Sequence, residues 1–188
     1  MRYAAVGLAR LMVFMGALGL FWSAALAATY TFSQSGYSGG GRIDGGFIAD
    51  DFDGNGQISF FAGEVYDYHL SFSGDAIVSS FAHNMQDLSG LIYDVGSGKL
   101  GDGTGGDVEG IASNWGGGVG FDYASGIGPT GDIGGRVLDL ATGAMSVSAE
   151  VVSVSLVPEP ATGLLFGAWS LLTLTLLKRR RGYAAQNS

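Results

Sequence analysis

The chain has 188 residues, no cysteine and 34 glycines, with 14 % charged and 47 % hydrophobic residues and a formal net charge of −8. Its glycine share, about 18 %, stands against a usual ~7 %. These values exclude a disulfide scaffold, a cysteine-ligated zinc site, a cysteine nucleophile, a strict collagen repeat and a disordered acidic chain.

The charge is segregated along the chain. Arg2 and Arg10 lie at the start and Lys178, Arg179, Arg180 and Arg181 near the end. Between Ala28 and Leu156 only Arg42, Lys99 and Arg136 are basic against 16 acidic residues, a net −13. Nucleic-acid binding needs clustered Lys and Arg to displace counterions from phosphates, so the sequence speaks against it. An acidic, cysteine-free, glycine-rich segment suits an exported protein or one that meets divalent cations.

Residues 1–27 read as a signal peptide. Arg2 and Arg10 supply the positive end and Leu11 to Leu26 the apolar run, while Ala25 and Ala27 are the small residues that set cleavage before Ala28.

Residues 28–156 then read as one all-β domain, a single β-sandwich or jelly-roll-like passenger. Glycine on this scale argues against long helices, and alternation is plentiful. Strands are expected over 29–33, 45–51, 57–61, 65–72, 76–81, 90–95, 119–123, 136–140 and 146–156. In the fourth of these Tyr66, Tyr68, Leu70 and Phe72 form an apolar face with period two. Turn residues separate the strands, among them Asp53-Gly54-Asn55-Gly56, Ser73-Gly74-Asp75 and Gly96-Ser97-Gly98. From Gly96 to Gly135, 16 of 40 residues are glycine with few apolar anchors, so long loops are expected there. Within it, 101–107 has the look of a calcium-repeat unit without a second copy, which favours a plain glycine-rich loop.

One turn carries candidate chemistry. Asp51-Phe52-Asp53-Gly54-Asn55-Gly56-Gln57-Ile58-Ser59 resembles the first nine positions of an EF-hand or dockerin-type calcium loop. The resemblance implies side-chain oxygens from Asp51, Asp53 and Asn55, a sharp turn at Gly56 and the backbone carbonyl of Gln57 around calcium. It departs where the loop needs its closing acid: position 12 is Ala62, and Glu64 comes two residues late. A hairpin turn built from residues tolerant of positive φ is the competing reading.

No catalytic constellation emerges from the remaining residues. His69 and His83 are the only histidines, and no zinc-protease, nucleophile-elbow or phosphate-loop spacing occurs. No catalytic residue is therefore assigned and no enzymatic activity is expected. Trp115, Tyr123 and Tyr37 could form a sugar-stacking platform or serve as anchors of the core.

Ala161 to Leu177 is a second apolar run of 17 residues, about 25 Å as a helix, at the short end of a membrane crossing. The basic block Lys178–Arg181 behind it keeps residues 182–188 cytoplasmic and the domain outside. In front of it stands Val157-Pro158-Glu159-Pro160, extended by its two prolines. The succession of Pro-Glu-Pro, short span and basic cluster over 157–181 resembles the PEP-CTERM sorting signal of Gram-negative bacteria. That resemblance implies membrane anchoring before processing, cleavage near Pro158–Pro160 by an exosortase, and final residence at the cell surface or in an exopolysaccharide matrix.

The reading is thus an exported, non-enzymatic surface or matrix protein with signal peptidase and exosortase as processing partners. A secreted carbohydrate-binding module is the alternative. An ice-binding face is less in keeping with the scattered threonines, and a secreted hydrolase comes third.

Overall fold

The computed structural model describes residues 27–104 and 108–158. Twelve strands run through them: β1 (Ala28–Gln34), β2 (Ile43–Ala49), β3 (Gln57–Ser59), β4 (Val65–Phe72), β5 (Phe81–Asn84), β6 (Leu88–Asp94), β7 (Lys99–Leu100), β8 (Gly110–Ser113), β9 (Phe121–Ser125), β10 (Gly135–Asp139), β11 (Met145–Ser148) and β12 (Val152–Leu156). They form two antiparallel six-stranded sheets, ordered β5-β4-β2-β1-β12-β7 and β11-β10-β9-β8-β6-β3. The protein is all-β, and its two sheets are packed in the manner of a sandwich.

Alternation along the strands explains the packing. Tyr30 and Phe32 of β1, Phe47 of β2 and Tyr68, Leu70 and Phe72 of β4 turn inward from the first sheet. They meet Leu91 and Tyr93 of β6, Ile111 of β8, Tyr123 of β9 and Val137 of β10 from the second, in one buried cluster. Aromatic rings join the sheets: Tyr30 meets Tyr93 edge-on at 5.6 Å between centroids, and Phe81 stacks on Phe121 at 4.8 Å. Each such pair adds about 0.5–1.5 kcal/mol beyond its buried area.

Four sequence expectations change in the structure. In β4 it is Val65 that is buried and Tyr66 that faces solvent, because a bulge shifts the β2–β4 register between Ile48 and Ala49. The strand expected over 76–81 begins only at Phe81. Asp75 holds the residues before it in a turn, its carboxylate accepting the Ile77 and Val78 N–H groups at 2.7 Å each. The strand expected over 146–156 is two strands, since residues 149–151 carry the chain from the second sheet to the first.

The fourth change concerns residues 96–135, expected as long loops. Besides β9, which overlaps the strand expected over 119–123, they contain β7, β8 and a four-residue helix, Ile127–Thr130. All four residues of β8, Gly-Ile-Ala-Ser, are buried. Its outer side lies under that helix: a Cβ on Gly110 would stand 2.3 Å from Pro129 Cδ. A short strand covered on both faces uses small residues without alternation, and so looks like a loop in sequence.

The two ends of the domain lie side by side. Tyr30 of β1 pairs with Leu156 of β12, and the Val157 N–H donates to the Thr29 carbonyl at 2.8 Å. Ala28 pairs with Ala49, the last residue of β2. The acidic turn that follows β2 therefore begins at the same pole of the domain.

Candidate metal centre

After β2 the chain turns on its own carboxylates. Asp51 accepts the Asn55 N–H at 3.1 Å and the Gly56 N–H at 2.9 Å through its two oxygens, and Asp53 accepts the Asn55 N–H at 3.0 Å. Gly56, at φ +84°, makes the sharp bend that leads into β3. Asn55 braces the turn: its Oδ1 accepts the Gln57 N–H at 2.7 Å and its Nδ2 donates to Asp53 at 3.0 Å. The Gln57 side chain leaves the turn altogether and donates to Asp94 at 2.9 Å.

The next few residues decide what the turn can hold. Phe60–Ala62 form a 3-10 turn closed by the Gly63 N–H on the Phe60 carbonyl at 3.1 Å. The chain doubles back there, and Glu64 N–H reaches the Ser59 carbonyl at 3.2 Å. Glu64 is fully buried. Its Oε2 accepts the Ser59 N–H at 2.8 Å, whereas its Oε1 is buried with no hydrogen-bond partner. One oxygen each from Asp51, Asp53 and Glu64 all lie within 4.8 Å of one another.

The residue that the spacing set aside is therefore the one brought to the site. The 3-10 turn takes up the two surplus residues between position 12 of the loop and Glu64. A signal for it was present in the sequence, an acid directly before the apolar strand β4, but linear counting against a helical loop misplaces it.

No basic side chain among the described residues forms a salt bridge with this group. Among the described residues the one salt bridge is Arg42–Asp44 at 2.7 Å, on the exposed face of the first sheet. The Tyr30 ring stands beside the acidic turn. Burial raises the pKa of its hydroxyl above the usual tyrosine range, and Tyr93 and the carboxylates of Asp51 and Asp50 push it further in the same direction.

The other candidates do not converge. Tyr37 and Tyr123 are buried, both donating their hydroxyls to Gln34 Oε1, at 2.6 and 3.1 Å. They are core anchors, so no three-ring platform exists. Trp115 alone is exposed, with the Arg136 guanidinium carbon 4.8 Å from its ring centroid. It borders an open, mainly apolar groove of about 550 Å³ with Phe61, Leu91, Val108 and Pro129. His69 points to solvent from β4, while His83 is buried against Ser113 at 2.7 Å and its pKa is lowered, chiefly by burial. Asp102 is occupied by the Thr104 N–H and hydroxyl at 2.9 and 2.6 Å.

Of the processing residues, Ala27, Ala28, Val157 and Pro158 belong to the described chain, with Ala28 opening β1. Ala25, Glu159, Pro160, the apolar run 161–177 and Lys178–Arg181 lie outside the described residues. Among the described residues no helix is long and apolar enough to cross a membrane. Comparison with protein-family models, with curated proteins and with solved structures finds no match for this chain.

Proposed function

We propose that this is an exported, non-enzymatic protein of the cell surface or extracellular matrix, freed by signal peptidase before Ala28 and sorted by an exosortase through Val157–Pro160. The observation that carries the proposal is the pairing of β1 with β12. A signal peptide and a stop-transfer span both demand that the residues between them lie on the outer side of the membrane. A domain whose first and last strands are hydrogen-bonded neighbours, Tyr30 opposite Leu156, satisfies both tethers from a single pole. The rest of the sandwich then projects away from the bilayer, and no strand has to be pulled from its sheet to reach either processing enzyme.

Cell fractionation tests this directly. Replacing Lys178, Arg179, Arg180 and Arg181 together is expected to move the protein out of the surface fraction and into the membrane or the medium. An unchanged distribution would count against sorting by this tail.

A carbohydrate-binding role is the second reading, favoured by the exposed Trp115 beside its groove. An indole face with a neighbouring guanidinium offers a surface on which a sugar ring can stack.

A further inference from the structure

We propose that Asp51, Asp53 and Glu64 hold a calcium ion at the membrane-facing pole of the domain. Two independent observations converge on it. The first is spacing: three carboxylate oxygens from separate residues lie within 4.8 Å of one another. Calcium bonds oxygen at roughly 2.3–2.6 Å, so two oxygens on opposite sides of the ion stand about 5 Å apart or less. The second is Glu64 itself. It is 0 % exposed, and one of its oxygens has no hydrogen-bond partner. A buried polar atom left unpaired is costly, and such groups are normally satisfied by protein, water or an ion.

The donor set chooses the ion. All the donors are oxygens, with no sulfur or imidazole among them, which suits a hard cation over zinc or copper. Three carboxylates with no basic partner among the described residues leave a divalent cation with a net −1 site. The remaining ligands of the usual six to eight would come from other oxygens of the turn, Asn55 Oδ1 with its second lone pair and the Gln57 carbonyl, and from water. Magnesium, with bonds of about 2.0–2.1 Å and a strict octahedron, would require the loop to contract.

The ion reinforces a junction that Glu64 already makes, since its N–H and Oε2 bond Ser59 of β3 and its carbonyl accepts the Asp50 N–H after β2. Asp51 follows β2 and Glu64 precedes β4, both in the first sheet, while the turn between them feeds β3 at the edge of the second. Calcium here strengthens that tie between the two sheets. Extracellular calcium modules work at about 10⁻⁴–10⁻³ M. Resting on the exported reading above, the site would stay vacant inside the cell and fill after translocation, locking the domain once it is outside.

The test uses the full-length chain in detergent micelles, stripped with a chelator and titrated with calcium chloride by calorimetry and by thermal melting. At ~10 mM calcium and a dissociation constant near ~1 mM, the folding equilibrium should shift about elevenfold toward the native state. Terbium should bind in competition with calcium and luminesce through Tyr30. Asp53→Ala changes an exposed side chain and should weaken calcium binding at least tenfold, removing the melting shift. Glu64→Gln should do the same while keeping the hydrogen bond from Ser59. The proposal is overturned if Asp53→Ala binds calcium like the unaltered chain, or if sodium at matched ionic strength gives the same shift, which would be screening of a −13 surface. Neither result bears on export, which the fractionation measures separately.

Discussion

Gly126→Ala is expected to cost the protein about 2–5 kcal/mol of stability. Gly126 sits at φ +92°, and a Cβ there would stand 2.7 Å from the Gly101 Cα and 2.8 Å from both the Glu109 carbonyl oxygen and the Gly110 Cα. All three neighbours are backbone, so no side chain can swing aside. The contact is mutual: a Cβ on Gly101 would fall 2.3 Å from the Gly126 Cα. Left-handed backbone costs an alanine about 1–2 kcal/mol, and overpacking a close contact about 1–3 more. Together these take a large part of the ~5–15 kcal/mol that holds a typical domain. Chemical denaturation followed by circular dichroism measures the loss. Gly54→Ala is the matched control: its φ is +70° but nothing lies within 4 Å of its Cβ, so only the backbone term of about 1 kcal/mol applies. Equal midpoints for the two variants would refute the close-packing argument.

Gln34→Leu is expected to cost as much, for an electrostatic reason. Gln34 is a buried amide on β1 whose four bonds reach the other sheet at Ser125 and Tyr123, the crossing between β11 and β12 at Glu150, and Tyr37 in the connection after β1. Its Nε2 donates to Ser125 Oγ at 3.0 Å and to the Glu150 carbonyl at 2.6 Å, and its Oε1 accepts from Tyr37 and Tyr123. Burial raises the pKa of both phenols well beyond the usual tyrosine range, so they remain donors at any ordinary pH. Leucine removes the shared acceptor and leaves two hydroxyls unpaired in the interior. At about 1–3 kcal/mol for each unsatisfied group, the loss is about 3–5 kcal/mol after partial relaxation. Adding Tyr37→Phe and Tyr123→Phe to Gln34→Leu should recover part of it, because the orphaned donors go with their acceptor. A triple variant no more stable than Gln34→Leu alone would mean that the network contributes packing and nothing else.

Most strands were readable because they are half-buried. In β1 and in β4 beyond Tyr66, apolar and polar residues alternate as one face meets the core and the other meets water. Where that asymmetry fails, the pattern disappears. β8 is buried on both sides and built from small residues, and the glycines around it, at 101, 110 and 126, serve close backbone approach and not loop freedom. The bulge beside Ala49 inverts Val65 and Tyr66 in a way that period two cannot register. In the acidic turn, Asp51 and Asp53 were legible from the turn chemistry that positions them. Glu64 was not, because its approach depends on a 3-10 turn whose length no local spacing rule encodes. Trp115, Tyr123 and Tyr37 looked alike as aromatics near glycines, and only the tertiary packing separates one exposed ring from two buried ones.

The most direct test of the whole account is intact-mass and terminal-peptide mass spectrometry of the protein recovered from the surface or matrix fraction of the cells that make it. The expected product is a chain that begins at Ala28 and ends near Pro158–Pro160, keeping all twelve strands and lacking residues 1–27 and 161–188. Recovery of the uncleaved chain, Met1 to Ser188, from the cytoplasmic fraction would contradict it.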